Sequence, residues 1–398
     1  MLDELDALTA FAIALVATAA LTPLTTRFAR SVGAIDHSRG RGLAPGGTPL
    51  LGGLAIFAGM TIAALIVMPA SDELRGIFAA ALVITIVGAL DDRFDLHPGV
   101  KLAGQTLAAI IAVRNGVKVD FVTIPFVGRL AFGDLGGPLT VLGLVAVMNV
   151  VNLSDGIDGL AAGVCAISAG ALAVIAFDLQ RTEGGTLAAI TAGAALGFLI
   201  YNFAPASVYM GDCGSNLLGL MLGCVAVLGS AKTNAVLALI FPLIVLAVPF
   251  LDTTFVVLKR VKYHRPVYAA DREHFHHRLD RIGFSTRRTV LYLYAWTLSL
   301  AGLAIALRFV PYSDNGGNLH LGWAAVMAGL GLLILIESIY LVYVLEILKF
   351  KRLDAVRLRR AKPDATEEEI DADVATRLET GEFDAVRRET EEFERLQS

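Results

Sequence analysis

The sequence predicts an all-α polytopic membrane protein with about eleven transmembrane helices, a small external β-hairpin and a cytoplasmic helical tail. Three observations predict it. Charged residues are only 18% of the 398 residues, against 56% hydrophobic ones, and the mean hydropathy is +0.66. A soluble chain of this size carries about a quarter charged residues. Apolar runs recur along nearly the whole length, with breaks at polar loops. Basic residues are distributed unevenly between alternate loops, which fixes an orientation.

The runs fall at 7–27, 50–70, 76–91, 100–114, 137–153, 159–178, 186–203, 213–230, 235–258, 289–309 and 321–347. The first lacks a basic leader and an A-x-A-like cleavage site, so it reads as a retained span. With the N-terminus outside, the loops 27–49, 91–101, 259–288 and 349–362 share the inner side and carry 22 Lys and Arg, against seven on the outer side. That asymmetry predicts N-terminus out and C-terminus in. Residues 118–133, β-branched and aromatic around Gly128-Arg129, predict an external hairpin turning at that pair. Cys165, Cys213 and Cys224 are too few and too apolar in setting for a disulfide framework or a zinc site. Residues 1–352 form the predicted membrane-embedded catalytic unit, and 353–398 a charged cytoplasmic tail. Thr366 and Glu369 there fit a capping box and Gly381 fits a helix stop. The sparse apolar positions of the tail predict a solvated helical appendage rather than a docking helix.

Polar motifs end several spans, and carboxylates beside a bilayer are functional by default. The first is Asp91-Asp92-Arg93-Phe94-Asp95. Neighbours on a helix point about 100° apart, so one of Asp91 and Asp92 faces a metal or phosphate while the other is poised as a base. Lys101 and Gln105, one turn apart, offer a phosphate contact and an amide. In the second motif, Asn149, Asn152, Asp155 and Asp158 recur every three residues, a polar ladder that implies a polar guest. Gly156 and Gly159 break that helix. In the third, Gly211 and Gly214 flank Asp212 and Ser215 at a helix start suited to phosphate. Asn202 and Tyr209 precede it, and Tyr209 has the ring to stack on a base. Finally, Asp271-Arg272-Glu273-His274-Phe275-His276-His277-Arg278 sits in the most basic loop and reads as a pyrophosphate clamp rather than a zinc cage. All these motifs share the predicted cytoplasmic face. Oxygen ligands for one hard cation, Mg²⁺ or Mn²⁺, beside a basic arm favour phosphoryl transfer between a soluble donor and a lipid acceptor.

With these residues, the chain resembles the polyprenyl-phosphate N-acetylhexosamine-1-phosphate transferases, which include phospho-MurNAc-pentapeptide translocase. Four motifs match in order between about residues 30 and 290: D-D-R-F-D, N-V-V-N-L-S-D-G-I-D-G-L-A, N-F-A-P-A-S-V-Y-M-G-D-C-G-S and H-F-H-H. The last is of the GlcNAc-1-phosphate type. The first cytoplasmic loop departs from the pattern, with Ala44 where GlcNAc-type enzymes usually carry His. The resemblance implies transfer of N-acetylhexosamine 1-phosphate from a UDP-sugar to undecaprenyl phosphate at the bacterial inner membrane, with release of UMP. It implies Asp212 as principal Mg²⁺ ligand, with Asp92 and Asn152 beside it, and Asp91 or Asp92 as base or acceptor-site carboxylate. Asn152, Asp155, Asp158, Asn202 and Tyr209 would line the nucleotide pocket. Arg272, His274, His276 and His277 would hold phosphates. The expected partners are the UDP-sugar, the lipid acceptor and the bilayer, with no nucleic acid; a homodimer stays open.

Two other classes fit less well. A CDP-alcohol phosphotransferase needs an Arg that Asp158-Gly159-Leu160-Ala161-Ala162-Gly163 lacks. A cation-coupled transporter favours mid-span carboxylates and internal repeats.

Overall fold

A computed structural model of the chain describes residues 2–36, 47–124, 128–230, 286–311 and 320–344. The expected span at 235–258, the loop carrying Arg272, His274, His276 and His277, and the tail lie outside the described residues.

Ten α-helices dominate the described residues. They are α1 (Glu4–Val32), α2 (Gly52–Val67), α3 (Asp72–Phe94), α4 (Pro98–Arg114), α5 (Gly136–Ser154), α6 (Leu160–Asp178), α7 (Thr182–Asn202), α8 (Gly211–Ser230), α9 (Thr286–Phe309) and α10 (Leu321–Val344). Each overlaps an expected span. Among the described residues, eight helical segments are long and apolar enough to cross a membrane; α2 is a shorter apolar helix.

Local chemistry sets several helix ends. Asp3 and Asp6 close a reciprocal capping box on α1, and Gly33 ends it in the left-handed region at φ 73°. Ser71 caps α3 by accepting from the Leu74 N–H, and Asp95 (φ 52°) ends that helix. Pro98 opens α4, where its missing N–H costs nothing.

Successive helices run up and down, so the α1, α3, α5 and α7 C-termini gather at one end with the α2, α4, α6, α8 and α9 N-termini. Long-range bonds tie this end together. Arg93 Nε donates to the Val32 carbonyl at 2.6 Å, Gly53 N–H to the Met210 carbonyl at 3.0 Å, and Arg287 Nε to the Ala204 carbonyl at 2.7 Å. A two-stranded pairing of β1 (Ile35–Asp36) with β2 (Thr48–Pro49) lies here too. All three acidic motifs therefore sit at one end of the bundle.

The hairpin lies at the other end, where the Val119 N–H donates to Thr140 Oγ1 near the start of α5. Its strands are β3 (Phe121–Ile124) and β4 (Gly128–Ala131), antiparallel with Ile124 opposite Gly128. Gly128 and Arg129 are thus paired residues of β4, not the turn expected at that pair. The pair has the composition of a turn, and only cross-strand pairing puts it inside β4.

The core is built on α8, which packs against α2, α3, α5, α6 and α7. Ile56, Met60, Ile84, Leu144, Met148, Leu187, Phe198 and Leu217 are buried there among many alanines. Small residues let helix backbones approach closely where burial of apolar area drives nothing, as in lipid. Leu65, Ile66, Leu142, Leu332 and Leu333 point outward and give the bundle an apolar exterior. The α10 helix lies at the rim, packed on α9 through a hydrogen bond from Trp296 Nε1 to Ser338 Oγ at 2.8 Å.

Candidate active site

The α8 N-terminus is the keystone of the site. Its first N–H groups have no partner within the helix, and neither Met210 nor Gly211 has a side-chain acceptor to cap them. Asp92, at the end of α3, supplies the cap from outside: Oδ1 accepts from the Asp212 N–H at 2.6 Å and Oδ2 from the Cys213 N–H at 3.2 Å. A carboxylate here also meets the positive end of the helix dipole. Gly211, at φ 69°, leaves room for it, since a Cβ there would lie 2.2 Å from Asp92 Oδ2. Backbone contact positions the same turn: a Cβ on Gly53 or Gly88 would fall within 2.5 Å of the Gly214 or Cys213 backbone.

Held this way, Asp212 faces Lys101 and Asn152. Asn152 Nδ2 donates to Asp212 Oδ1 at 3.0 Å and to Ser215 Oγ at 2.9 Å. Asp212 Oδ2 forms an ion pair with Lys101 Nζ. Lys101 also pairs with Asp91 Oδ2 at 2.8 Å, while Asp91 Oδ1 accepts from the Leu96 N–H at 2.9 Å. Two carboxylates from different helices thus converge on one cationic atom.

Beneath this layer lies a second one. Gln105 Nε2 donates to Asn216 Oδ1 at 2.7 Å and to Asn149 Oδ1 at 3.3 Å, and Asn149 Nδ2 returns a bond to Gln105 Oε1 at 2.9 Å. Asn216 Nδ2 donates to the Asp212 carbonyl at 2.9 Å.

The loops beside the site are braced by its other polar residues. Asn202 is buried, with Oδ1 accepting from the Gly159 N–H and Nδ2 donating to the Val208 carbonyl, both at 3.0 Å. Asp158 Oδ2 accepts from the Ala206 N–H at 2.8 Å. Asp155 ends α5, half-buried. Tyr209 is buried, its N–H donating to the Pro49 carbonyl and its own carbonyl accepting from Gly52. The Tyr294 hydroxyl of α9 donates to the Gly159 carbonyl.

Residues 74–230 match the family model for glycosyl transferase family 4. A "Probable undecaprenyl-phosphate N-acetylglucosaminyl 1-phosphate transferase" of Bacillus subtilis (strain 168) is 37% identical over 313 residues, covering 77% of this chain and 87% of that one. The chain belongs to glycosyl transferase family 4. A decaprenyl-phosphate N-acetylglucosaminephosphotransferase of Mycolicibacterium smegmatis is 37% identical over 336 residues, 76% of this chain and 82% of its own. A phospho-N-acetylmuramoyl-pentapeptide-transferase of Moorella thermoacetica is 33% identical over 323 residues, 75% of this chain and 98% of its own.

The region matched to glycosyl transferase family 4 contains every residue of the charged and amide layers; Pro49, Gly52, Gly53, Arg287 and Tyr294, which brace the site, lie outside it. Of the residues expected from sequence, the structure brings together Asp91, Lys101, Asn152 and Asp212, with Asn149 one layer below. It puts Asp92 under Asp212 with both carboxylate oxygens on backbone N–H groups. Asn202 and Asp158 spend their bonds on loop backbone, and the Tyr209 ring is buried. Arg272, His274, His276 and His277 lie outside the described residues. Sequence reading passed over Asn216, although it stands four residues from Asp212 as Gln105 stands four from Lys101. Arg287 and Tyr294 carry no local signal, because only tertiary packing brings α9 to these loops.

Among the described residues no three His, Cys, Asp or Glu side chains are grouped to hold a metal. Mg²⁺ commonly takes one or two carboxylates, substrate phosphates and waters. Asp212 Oδ2 and Asp91 Oδ2, already converging on an ammonium, fit that requirement. Asp92 does not.

Proposed function

We propose that this chain transfers N-acetylglucosamine 1-phosphate from UDP-N-acetylglucosamine to undecaprenyl phosphate and releases UMP. The observation that carries this reading is the convergence of Asp91 and Asp212 on Lys101 at one end of an apolar helix bundle, in a chain of glycosyl transferase family 4. The names of the Bacillus and Mycolicibacterium relatives support the polyprenyl phosphate acceptor and the GlcNAc group. The basic loops favour the bacterial cytoplasmic membrane, with this end facing the cytoplasm where UDP-sugars are found.

The reaction needs an acceptor phosphate oxygen to form a bond to the β-phosphorus while the bond from that phosphorus to the UMP oxygen breaks. A phosphate monoester has a second pKa of about 6, so at neutral pH it is largely dianionic and attacks without a strong base. The task of the residues is therefore to assemble anions that repel one another. Lys101 supplies a positive charge next to both carboxylates and is free to exchange a carboxylate for a phosphate oxygen. Asp212 and Asp91 would hold Mg²⁺, which supplies neutralisation of diphosphate charge. Asn152 orients the Asp212 carboxylate, and Asp92 holds its backbone.

Purified protein, undecaprenyl phosphate and Mg²⁺ with a panel of UDP-sugars test the proposal by UMP release. UDP-N-acetylglucosamine is the expected donor, with UDP-MurNAc-pentapeptide inert. Absence of release with every UDP-N-acetylhexosamine overturns it. Removing divalent cations with EDTA should abolish release and added Mg²⁺ should restore it; full turnover in EDTA would remove the metal from the scheme.

A further inference from the structure

Beneath the charged layer, the spacing of side chains repeats with amides in place of charges. On α4, Gln105 lies four residues below Lys101. On α8, Asn216 lies four residues below Asp212. On α5, Asn149 lies three residues from Asn152. Residues three or four apart share a helix face one above the other, so the same three helices that meet at the charged layer meet again one turn deeper.

The amides close a directional circuit. Both protons of the Gln105 amide are used, on Asn216 and Asn149, and its oxygen accepts from Asn149. The second Asn149 proton goes to the Val145 carbonyl at 2.8 Å. Asn216 passes the circuit on to the Asp212 carbonyl. Gln105 and Asn216 are buried, so sliding or rotating any of the three helices would strand an amide away from water. Ion pairs are non-directional and tolerate such shifts; a reciprocal amide pair does not.

We propose that Gln105, Asn149 and Asn216 are positioning residues that set the register of α4 and α5 against α8. They thereby hold Lys101 and Asn152 on Asp212. None of them contacts the charged atoms with its own side chain; they act through Lys101 and the α8 backbone. This proposal rests on the transferase reading for its kinetic test. Shifts of about 1 Å in reacting groups cost on the order of 100-fold in rate.

Gln105→Met keeps the volume and removes the amide. Turnover should fall roughly 10- to 100-fold, with KM for the UDP-sugar changed by less than about threefold. Since Gln105 acts in part through Lys101 on the same helix, Lys101→Met/Gln105→Met should lose clearly less than the product of the two single losses. Turnover of Gln105→Met within about twofold of the unmodified chain, a loss in KM alone, or multiplicative losses in the double variant would each overturn the proposal. Should Gln105→Met fail to fold, Gln105→Asn carries the same test, retaining the amide but not its reach. An unmodified chain that releases no UMP defeats the transferase reading alone. The same cycle scored on thermal unfolding midpoints then decides: less-than-additive shifts support register coupling, and additive shifts overturn it.

Discussion

Lys101 is the residue on which the site turns. Its ammonium neutralises two carboxylates that would otherwise repel each other, and it occupies the place proposed above for a divalent cation. Lys101→Met is expected to lower turnover at least 10-fold while tightening Mn²⁺ binding measured by electron paramagnetic resonance without donor. Unchanged Mn²⁺ affinity would show that Lys101 does not share the cation's place. Asp212→Asn should abolish both Mn²⁺ binding and UMP release, because it removes the anionic oxygen that pairs with Lys101. Asp91 and Asp92 are adjacent in sequence yet differ in work. Asp91 offers Oδ2 to the site, whereas Asp92 gives both oxygens to the backbone of α8. The sequence-based expectation of one site carboxylate with a neighbouring base does not foresee that Asp92 is taken up as the cap of α8.

At the scale of elements, the cap between α3 and α8 is the decisive contact. Gly211→Ala puts a methyl group against the Asp92 carboxylate and a side chain into the left-handed region. About 1–3 kcal/mol of destabilisation is expected, read as a lower unfolding midpoint, together with loss of turnover. A midpoint equal to that of the unmodified chain would mean that the cap yields without cost. Helix existence was largely legible in the sequence, since each of the ten helices lies on an apolar run. The hairpin turn was not, because Gly128-Arg129 has the composition of a turn and only strand register shows that both residues are paired within β4. The polar ladder was half legible. Asn149 and Asn152 share a face of α5, but that helix ends at Ser154, so Asp155 and Asp158 follow the loop instead.

For the whole molecule, the up-and-down order puts His97 at the site end and Asp134 near the hairpin end, both exposed. The native Cys165, Cys213 and Cys224 are buried, which leaves a clean background for thiol labelling. His97→Cys is expected to react with a membrane-impermeant maleimide only after permeabilisation, and Asp134→Cys in intact spheroplasts. The reverse pattern would invert the proposed orientation and put the site on the wrong side for a UDP-sugar.

The apolar runs and the ordered acidic motifs were sufficient to determine a bundle of helices apolar enough to cross a membrane, with its three acidic motifs at one end. These are properties of segments, set by how each stretch of chain partitions between lipid and water. Which carboxylate faces the site and which caps a helix, the amide layer under Lys101, and the bracing of the loops by Arg287 and Tyr294 were decided only by tertiary structure. Each depends on the rotation and approach of helices distant in sequence, down to the space left by one missing Cβ at Gly211, and no local pattern encodes that distance.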